Sequence, residues 1–253
     1  MSGLERRDWI AGLEKGLAIL VAFDIEHSRL TATQVGQRCG LTRTAARRYL
    51  LTLAHLGYVG TDGKLFWLSP RVMRLGQAYL ESARLPRAVQ PYLQRVTAGT
   101  GETAYVGVMD GNDIVYVARS GSHRHMHNGY LLGSRVQAHS TAAGMMMLSL
   151  TAPEVLDIWL RTQTLRAYTS HTITDRDQLR ELFAEVRTQG WCVSEQQLEL
   201  NYRGIAVPIY DHNDQLLGAM NVTMPINSET TEAALSRVLP VLQETARSMR
   251  PLI

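Results

Sequence analysis

The sequence predicts an α+β protein in two unequal parts, a small helical and basic part followed by a larger part that mixes strands and helices. Three observations predict this. Positive charge gathers at one end, because residues 1–80 carry eleven Lys or Arg against six Asp or Glu, a balance of +5, whereas residues 81–253 carry −2. The first part has helical periodicity and closes in one hairpin, while the second alternates between strands and helices without regular βαβ repetition. A chain of 253 residues with 45% hydrophobic content is long enough to bury a core in each part.

The first helix is predicted over 9–23, with Ile10, Leu13, Leu17 and Leu20 as its apolar stripe and Ile19 and Val21 broadening it. Thr31 and Gln34 form a capping-box pattern that opens a brief second helix, and Cys39, Gly40 and Leu41 supply a tight turn. Thr42 caps a third helix over 42–56, where Ala46, Leu50 and Leu53 share one face while Arg43 and Arg47, with Arg48 beside them, make another. No Asp or Glu lies between His27 and Thr61, so Arg29, Arg38, Arg43, Arg47 and Arg48 have no local acidic partner in the sequence. Such a surface suits a polyanion, although a solvated helix face is the plain alternative. The segments 58–60 and 65–68 flank Thr61-Asp62-Gly63-Lys64 and read as a hairpin. Two short helices joined by a Gly-containing turn, preceded by one helix and followed by a hairpin, make a winged helix-turn-helix over 9–68.

Ser69-Pro70 begins a linker helix over 69–84, striped by Val72, Leu75 and Tyr79. The second part, 85–253, opens with a helix over 85–97 and a hairpin of 105–109 with 114–119. Helices follow at 139–150, at 153–160 and from Thr174 to about residue 188, the last closed by Gly190. Strands at 191–195, 204–210 and 216–224 precede a final helix capped by Ser228 and carrying Leu235, Leu239 and Leu242. The expected domain is α/β with a mainly antiparallel sheet.

The stretches GLEKGLAILVAF, LTATQVGQRCGLTRTAARRYLLTLAHLGYV and FWLS resemble the DNA-binding domain of the IclR family of bacterial transcriptional regulators. GSRVQAHSTAAGMMMLS, SEQQLELNYRGIAVPIYD and LLGAMNVTMP are similar to its effector-binding domain, so the resemblance spans nearly the whole chain. IAGLEKGLAIL and TRTAARRYL resemble the branch that controls 4-hydroxybenzoate and protocatechuate breakdown. Many members have Thr-Val where this chain has Ala45-Ala46, which supply little base readout, and Gly where it has Asn201, a residue that also tolerates positive φ.

The resemblance implies a regulator of double-stranded operator DNA, controlled by a small organic acid such as 4-hydroxybenzoate or protocatechuate. It also implies a homodimer or dimer of dimers, assisted by the linker helix, and RNA polymerase as a partner if the protein activates. The DNA-binding candidates are Thr33, Gln34, Thr42, Arg43, Thr44, Arg47, Arg48 and Lys64. Effector candidates at a helix start are His139, Ser140, Thr141 and Ala142, whose hydroxyls and free N–H groups suit a carboxylate. The resemblance adds Ser194, Gly204, Asn221 and Thr223. Asn221 and Thr223 alternate about Val222 and share one strand face, for which ordinary sheet polarity is the plain alternative. Arg135 reads equally as a carboxylate ligand or as half of a surface ion pair.

Other chemistry is excluded or outweighed. Lys15 and Lys64 are the only lysines, and no Walker phosphate loop occurs. Gly99-Thr-Gly101-Glu-Thr-Ala104 fits a dinucleotide fingerprint in letters only, since a helix precedes it and a strand follows. His123, His125 and His127 alternate as a metal site might require, but no Cys or carboxylate follows nearby, and ordinary surface or pocket histidines outweigh a metal. No G-x-S-x-G elbow supports a hydrolase. No catalytic residue, cofactor or metal is expected, and the contending class is a small-molecule-binding or hydrolytic enzyme with an N-terminal protein-interaction domain. Cys39 reads as core filler, and it and Cys192 read as reduced thiols. No signal-peptide core or membrane-length apolar run is present, so a cytoplasmic location is expected.

Overall fold

The computed structural model describes residues 6–121, 130–227 and 229–253. The chain divides between Tyr79 and Leu80 into two compact units. The first contains α1 (Ala11–Leu20), β1 (Leu30–Thr31), α2 (Ala32–Cys39), α3 (Arg43–His55), β2 (Val59–Thr61) and β3 (Leu65–Leu68). The local signals are realised as bonds: Thr31 and Gln34 close a reciprocal capping box, Gly40 ends α2 at φ +64, and the Thr42 hydroxyl accepts from the Ala45 N–H. Gly36 is required where α2 meets the turn, because a Cβ there would stand 2.7 Å from the Leu41 carbonyl oxygen. Ile19, Val35, Ala46, Leu50 and Phe66 form the core.

Three features of this unit depart from the sequence expectation. α1 is shorter than 9–23 and turns Ile19 inward, leaving Ile10, Leu13 and Leu17 more than half exposed. The helix has two apolar faces; Ile19 is buried in the core, and of the predicted stripe only Leu20, at the helix end, packs against it. β1 was not expected, because two residues are too few for a visible alternation; it pairs Leu30 with Phe66 and Thr31 with Leu65. Arg38 does have an acidic partner. Its guanidinium donates to Asp24 at 2.6 Å, and His27 Nδ1 lies 2.8 Å from the same carboxylate. The His27 hydrogen bond, helped by the Arg38 charge, holds the Asp24 carboxyl below its ordinary value.

A 3-10 turn, Pro70–Val72, opened by the Ser69 hydroxyl, leads into α4 (Met73–Ser82), none of whose residues is buried.

Among the described residues the second unit is built on six antiparallel strands: β4 (Thr103–Asp110), β5 (Asp113–Ser120), β6 (Arg135–Gln137), β7 (Cys192–Glu195), β8 (Tyr202–Tyr210) and β9 (Leu216–Pro225), in the order β6-β5-β4-β9-β8-β7. One face packs on α5 (Arg84–Thr100) and on the last helix, through Val89, Leu93, Val238 and Leu242. The other is covered by α6 (Ala142–Ser149), α7 (Pro153–Thr162) and α8 (Arg176–Gln189), through Met145, Leu160 and Phe183. The last helix, α9 (Thr231–Met249), is capped by Thr230, whose hydroxyl accepts from the Ala233 N–H. The sequence assigned that cap to Ser228, which lies outside the described residues, as do His123, His125 and His127. The helix expected over 139–150 is broken at Thr141, which is extended at φ −126 and ψ 147 between a 3-10 turn (Ala138–Ser140) and α6. Asn201 adopts φ +65, so this position does take the backbone conformation that glycine favours. Both cysteines are free, with Cys192 buried and Cys39 half-buried. No helix among the described residues is long and apolar enough to cross a membrane.

Candidate functional site

Two surfaces have the chemistry to act, one in each unit. In the first, α3 buries Ala46 and Leu50 and presents Thr42, Arg43, Thr44, Arg47 and Arg48 to solvent. Ala45 is half-buried and Ala46 fully so, which leaves readout to the residues around them. No ion pair ties down Arg43, Arg47 or Arg48 within the described residues, so their in-plane donors remain available for phosphate or for guanine edges. Lys64 is exposed at the hairpin tip, where Asp62 Oδ1 accepts from the N–H groups of Lys64 and Leu65 and Gly63 takes φ +95. Thr33 is exposed on α2. Gln34 is exposed too, but its Oε1 already accepts from Thr31 N at 2.8 Å and Thr31 Oγ1 at 2.9 Å, so only its NH2 group is left to contact a partner.

In the second unit a cavity with about 440 Å³ of empty volume, open solvent at its mouth included, lies between the start of α6 and the sheet. Register explains which candidates meet there. Ser194, Gly204 and Thr223 form one cross-strand row over β7, β8 and β9, and Asn221 stands in the next row between Ala206 and Tyr105. All four line the cavity, together with Ser140, Thr141 and Ala142. Gly204 lets β8 approach the helix start, since a Cβ there would come 3.1 Å from the Ala142 Cβ.

The cavity lining combines polar groups with an aromatic wall. The Ser140 hydroxyl donates to the Gln137 carbonyl at 2.8 Å, and Thr141 Oγ1 accepts from the Gly144 N–H at 3.0 Å, so both hydroxyls are partly engaged. The Ala142 N–H, at the first position of α6, has no intrahelical acceptor. Across the cavity, Asn221 is almost fully buried. Its Nδ2 donates to Thr223 Oγ1 at 3.4 Å, and its Oδ1 accepts from no donor among the described residues. An acceptor buried without a donor costs about 1–3 kcal/mol, which makes Asn221 a pole awaiting a hydrogen-bond donor. Tyr116 and Tyr130, both in the lining, stack with centroids 5.1 Å apart. Burial is the main cause that drives both phenols above their ordinary pKa, so they stay protonated donors.

Two sequence candidates take other roles. Arg135 is not in the cavity wall; it sits on edge strand β6 and is ion-paired with Asp110 and with Asp113, the latter at 3.2 Å. The strand β6 was not foreseen, and its pairing with β5 brings Arg135 beside that hairpin's two aspartates. His139 is buried away from the cavity lining, and its Nε2–H donates to the Arg166 carbonyl at 3.0 Å. Burial lowers its pKa, so the ring is a neutral strut rather than an anion ligand.

Tyr116, Tyr130, Gln197, Leu198, Glu199 and Tyr202 were missed as lining residues. Single tyrosines carry no spacing signal, and 196–201 is a loop whose position follows only from the β7–β8 pairing. Arg203 also borders the cavity, but its buried guanidinium is ion-paired with Glu195 and donates to Thr231 Oγ1 at 3.1 Å. Its charge thus anchors the start of α9. Among the described residues no three His, Cys, Asp or Glu side chains form a metal-holding group.

Against known proteins, the model for the bacterial transcriptional regulator IclR C-terminal domain matches residues 77–250, and that for the IclR helix-turn-helix domain matches 12–63. The p-hydroxybenzoate hydroxylase transcriptional activator of Acinetobacter baylyi is 40% identical, with 99% of this chain and 94% of that protein covered. The Pca operon regulatory protein of the same organism is 37% identical, covering 99% and 91%. A crystal structure of a double mutant of the PobR inducer-binding domain from Acinetobacter, complexed with 3-hydroxybenzoic acid, superposes with a TM-score of 0.64 at 32% identity, covering 68% of this chain and all of that one.

Proposed function

The chain belongs to the IclR family of bacterial transcriptional regulators, and on that premise we propose that its regulatory ligand is a hydroxylated aromatic carboxylate held in the α6 cavity. The protein is a DNA-binding transcriptional regulator rather than an enzyme. The observation that carries the ligand proposal is the Asn221 Oδ1, unpartnered among the described residues, in a wall that also holds Tyr116, Tyr130 and the start of α6. A carboxylate accepts a hydrogen bond from the Ala142 N–H, is favoured by the α6 dipole, and has the Ser194 hydroxyl nearby. The ring packs on Tyr116 and Tyr130. A ring hydroxyl donates to Asn221 and relieves its missing bond. The relatives named for p-hydroxybenzoate hydroxylase and for the Pca operon, and the 3-hydroxybenzoic acid complex, support this class.

Operator contact falls to Thr42, Arg43, Thr44, Arg47 and Arg48 on α3, with Thr33 and Gln34 of α2 and Lys64 of the hairpin on flanking phosphates. The exposed Ile10, Leu13 and Leu17, together with Leu75 and Tyr79 of α4, support a homodimer or dimer of dimers. Such a dimer reads a palindromic operator, and RNA polymerase is a partner if the protein activates. The site of action is the cytoplasm. An effector regulates only by favouring one arrangement of the DNA-binding units, and the linker helix is the route by which it does so.

Thermal-shift titration with benzoate and its hydroxylated forms tests the ligand proposal. The wild-type protein should be stabilised by 4-hydroxybenzoate at about tenfold lower concentration than by benzoate, the worth of one buried hydrogen bond. Asn221→Leu should erase that difference. No shift with any aromatic acid would overturn the ligand class, and unchanged discrimination in Asn221→Leu would remove Asn221 from its role.

A further inference from the structure

The basic surface of the first unit has a member that lies off both α3 and the hairpin tip. Gly60 pairs with Trp67 across β2 and β3, and a Cβ on Gly60 would stand 2.4 Å from the indole nitrogen, so the ring lies flat on the glycine backbone. Phe66 faces the core, which puts Trp67 on the outer face of the sheet. Because Leu30 pairs with Phe66, the register sets Arg29 opposite Trp67, and its guanidinium stacks at 4.3 Å from the ring centroid.

Stacking occupies the π face of a guanidinium and leaves its edge donors pointing outward. Arg29 is exposed and makes no ion pair within the described residues. The N–H groups of Leu65 and Lys64 hold the Asp62 carboxyl below its ordinary value, with the Arg29 charge a small further cause. The Asp62 oxygen is thus already engaged by the turn that presents Lys64. Arg29 also lies two residues ahead of Thr31, the cap of α2, whose neighbour Thr33 is exposed. A stacked, oriented cation with unused donors stands beside a helix start and a lysine-tipped hairpin; of the neighbouring carboxylates, Asp62 is engaged by its turn and Asp24, which borders the same groove, by Arg38 and His27. We propose that Arg29, oriented by Trp67, binds a backbone phosphate of duplex DNA and adds a sequence-independent contact to operator recognition. This rests on the reading of the first unit as the DNA-binding domain.

The test is the salt dependence of binding by the full chain, measured on upstream DNA of its own gene and on a mixed-sequence duplex of equal length. Arg29→Ala should flatten the log affinity against log salt plot by about 0.9 on both duplexes, and weaken binding roughly fivefold near 0.15 M salt. Arg29→Lys should restore the slope, because a point charge suffices for a phosphate. Trp67→Leu should keep the slope but bind severalfold more weakly, since the arginine is then present without its orientation. An unchanged slope in Arg29→Ala overturns the proposal, as does a loss confined to the upstream DNA, which would mean base reading. Full affinity in Trp67→Leu overturns the orienting role of the stack. A wild-type protein with no salt-dependent binding at all would instead defeat the DNA-binding reading itself.

Discussion

A protein carrying Arg43→Ala, Arg47→Ala and Arg48→Ala is expected to keep its fold and to lose affinity for every duplex by on the order of 10²-fold near 0.15 M salt. The fold should survive because all three side chains are exposed and the core contacts of α3 come from Ala46 and Leu50. Surface changes of this kind usually stay within about 0.5 kcal/mol of wild type each. Binding should collapse because each lost phosphate contact removes about 0.9 from the salt slope, so three remove nearly three. Single variants then divide the work between affinity and reading. An arginine that forks onto a guanine costs about 1–3 kcal/mol at one operator position, while one that grips phosphate weakens all sequences alike. Filter or anisotropy titrations of Arg47→Ala on a set of point-mutated operators make that division. Full operator affinity at matched salt would remove Arg47 from the interface.

Gly144→Ala should be the most damaging methyl group in the second unit. A Cβ at Gly144 would sit 2.2 Å from the Ala138 carbonyl oxygen and 2.4 Å from the Ala138 Cα. Both are backbone atoms of the 3-10 turn that precedes α6, so no side chain can swing aside. The turn must move, and it carries Ser140 and the cap Thr141, whose Oγ1 holds the Gly144 N–H. Overpacking against backbone costs on the order of 3 kcal/mol, which for a unit of this size lowers Tm by about 6–12 °C. Effector binding should fall with it, because the Ala142 N–H is displaced. Gly99→Ala is the control: its Cβ would meet only a Val241 methyl at 3.4 Å, and its Tm should stay within a few degrees of wild type. A calorimetric scan in which the two variants melted together would show that the α6 start is not held as tightly as this contact requires.

The parts of the molecule legible in the sequence are those whose physics is local. Thr31 with Gln34, Gly40 and Thr42 each bond within a few residues of themselves, so the helix-turn-helix is written in its caps. Asn221 and Thr223 could be placed on one face by strand alternation alone. What escaped is set by pairing at long range. Arg38 meets Asp24 only because the loop after α1 folds back on α2, and Arg135 meets Asp110 and Asp113 only because β6 pairs with β5. The same holds for the tyrosine wall, since Tyr116 and Tyr130 converge across a sheet edge that no spacing announces. α1 failed for a different reason: with apolar residues on two faces, periodicity identified a helix but could not say which face the core would take. The unpartnered oxygen of Asn221 became visible only once its surroundings were filled.

The most direct test is binding of the full chain to the DNA upstream of its own gene, titrated across salt with and without 4-hydroxybenzoate. The expected result is steep salt dependence in both series, with an affinity for that DNA that shifts severalfold when the acid is present while mixed-sequence binding stays constant. Superimposable curves with and without every hydroxybenzoate would contradict effector control through the α6 cavity.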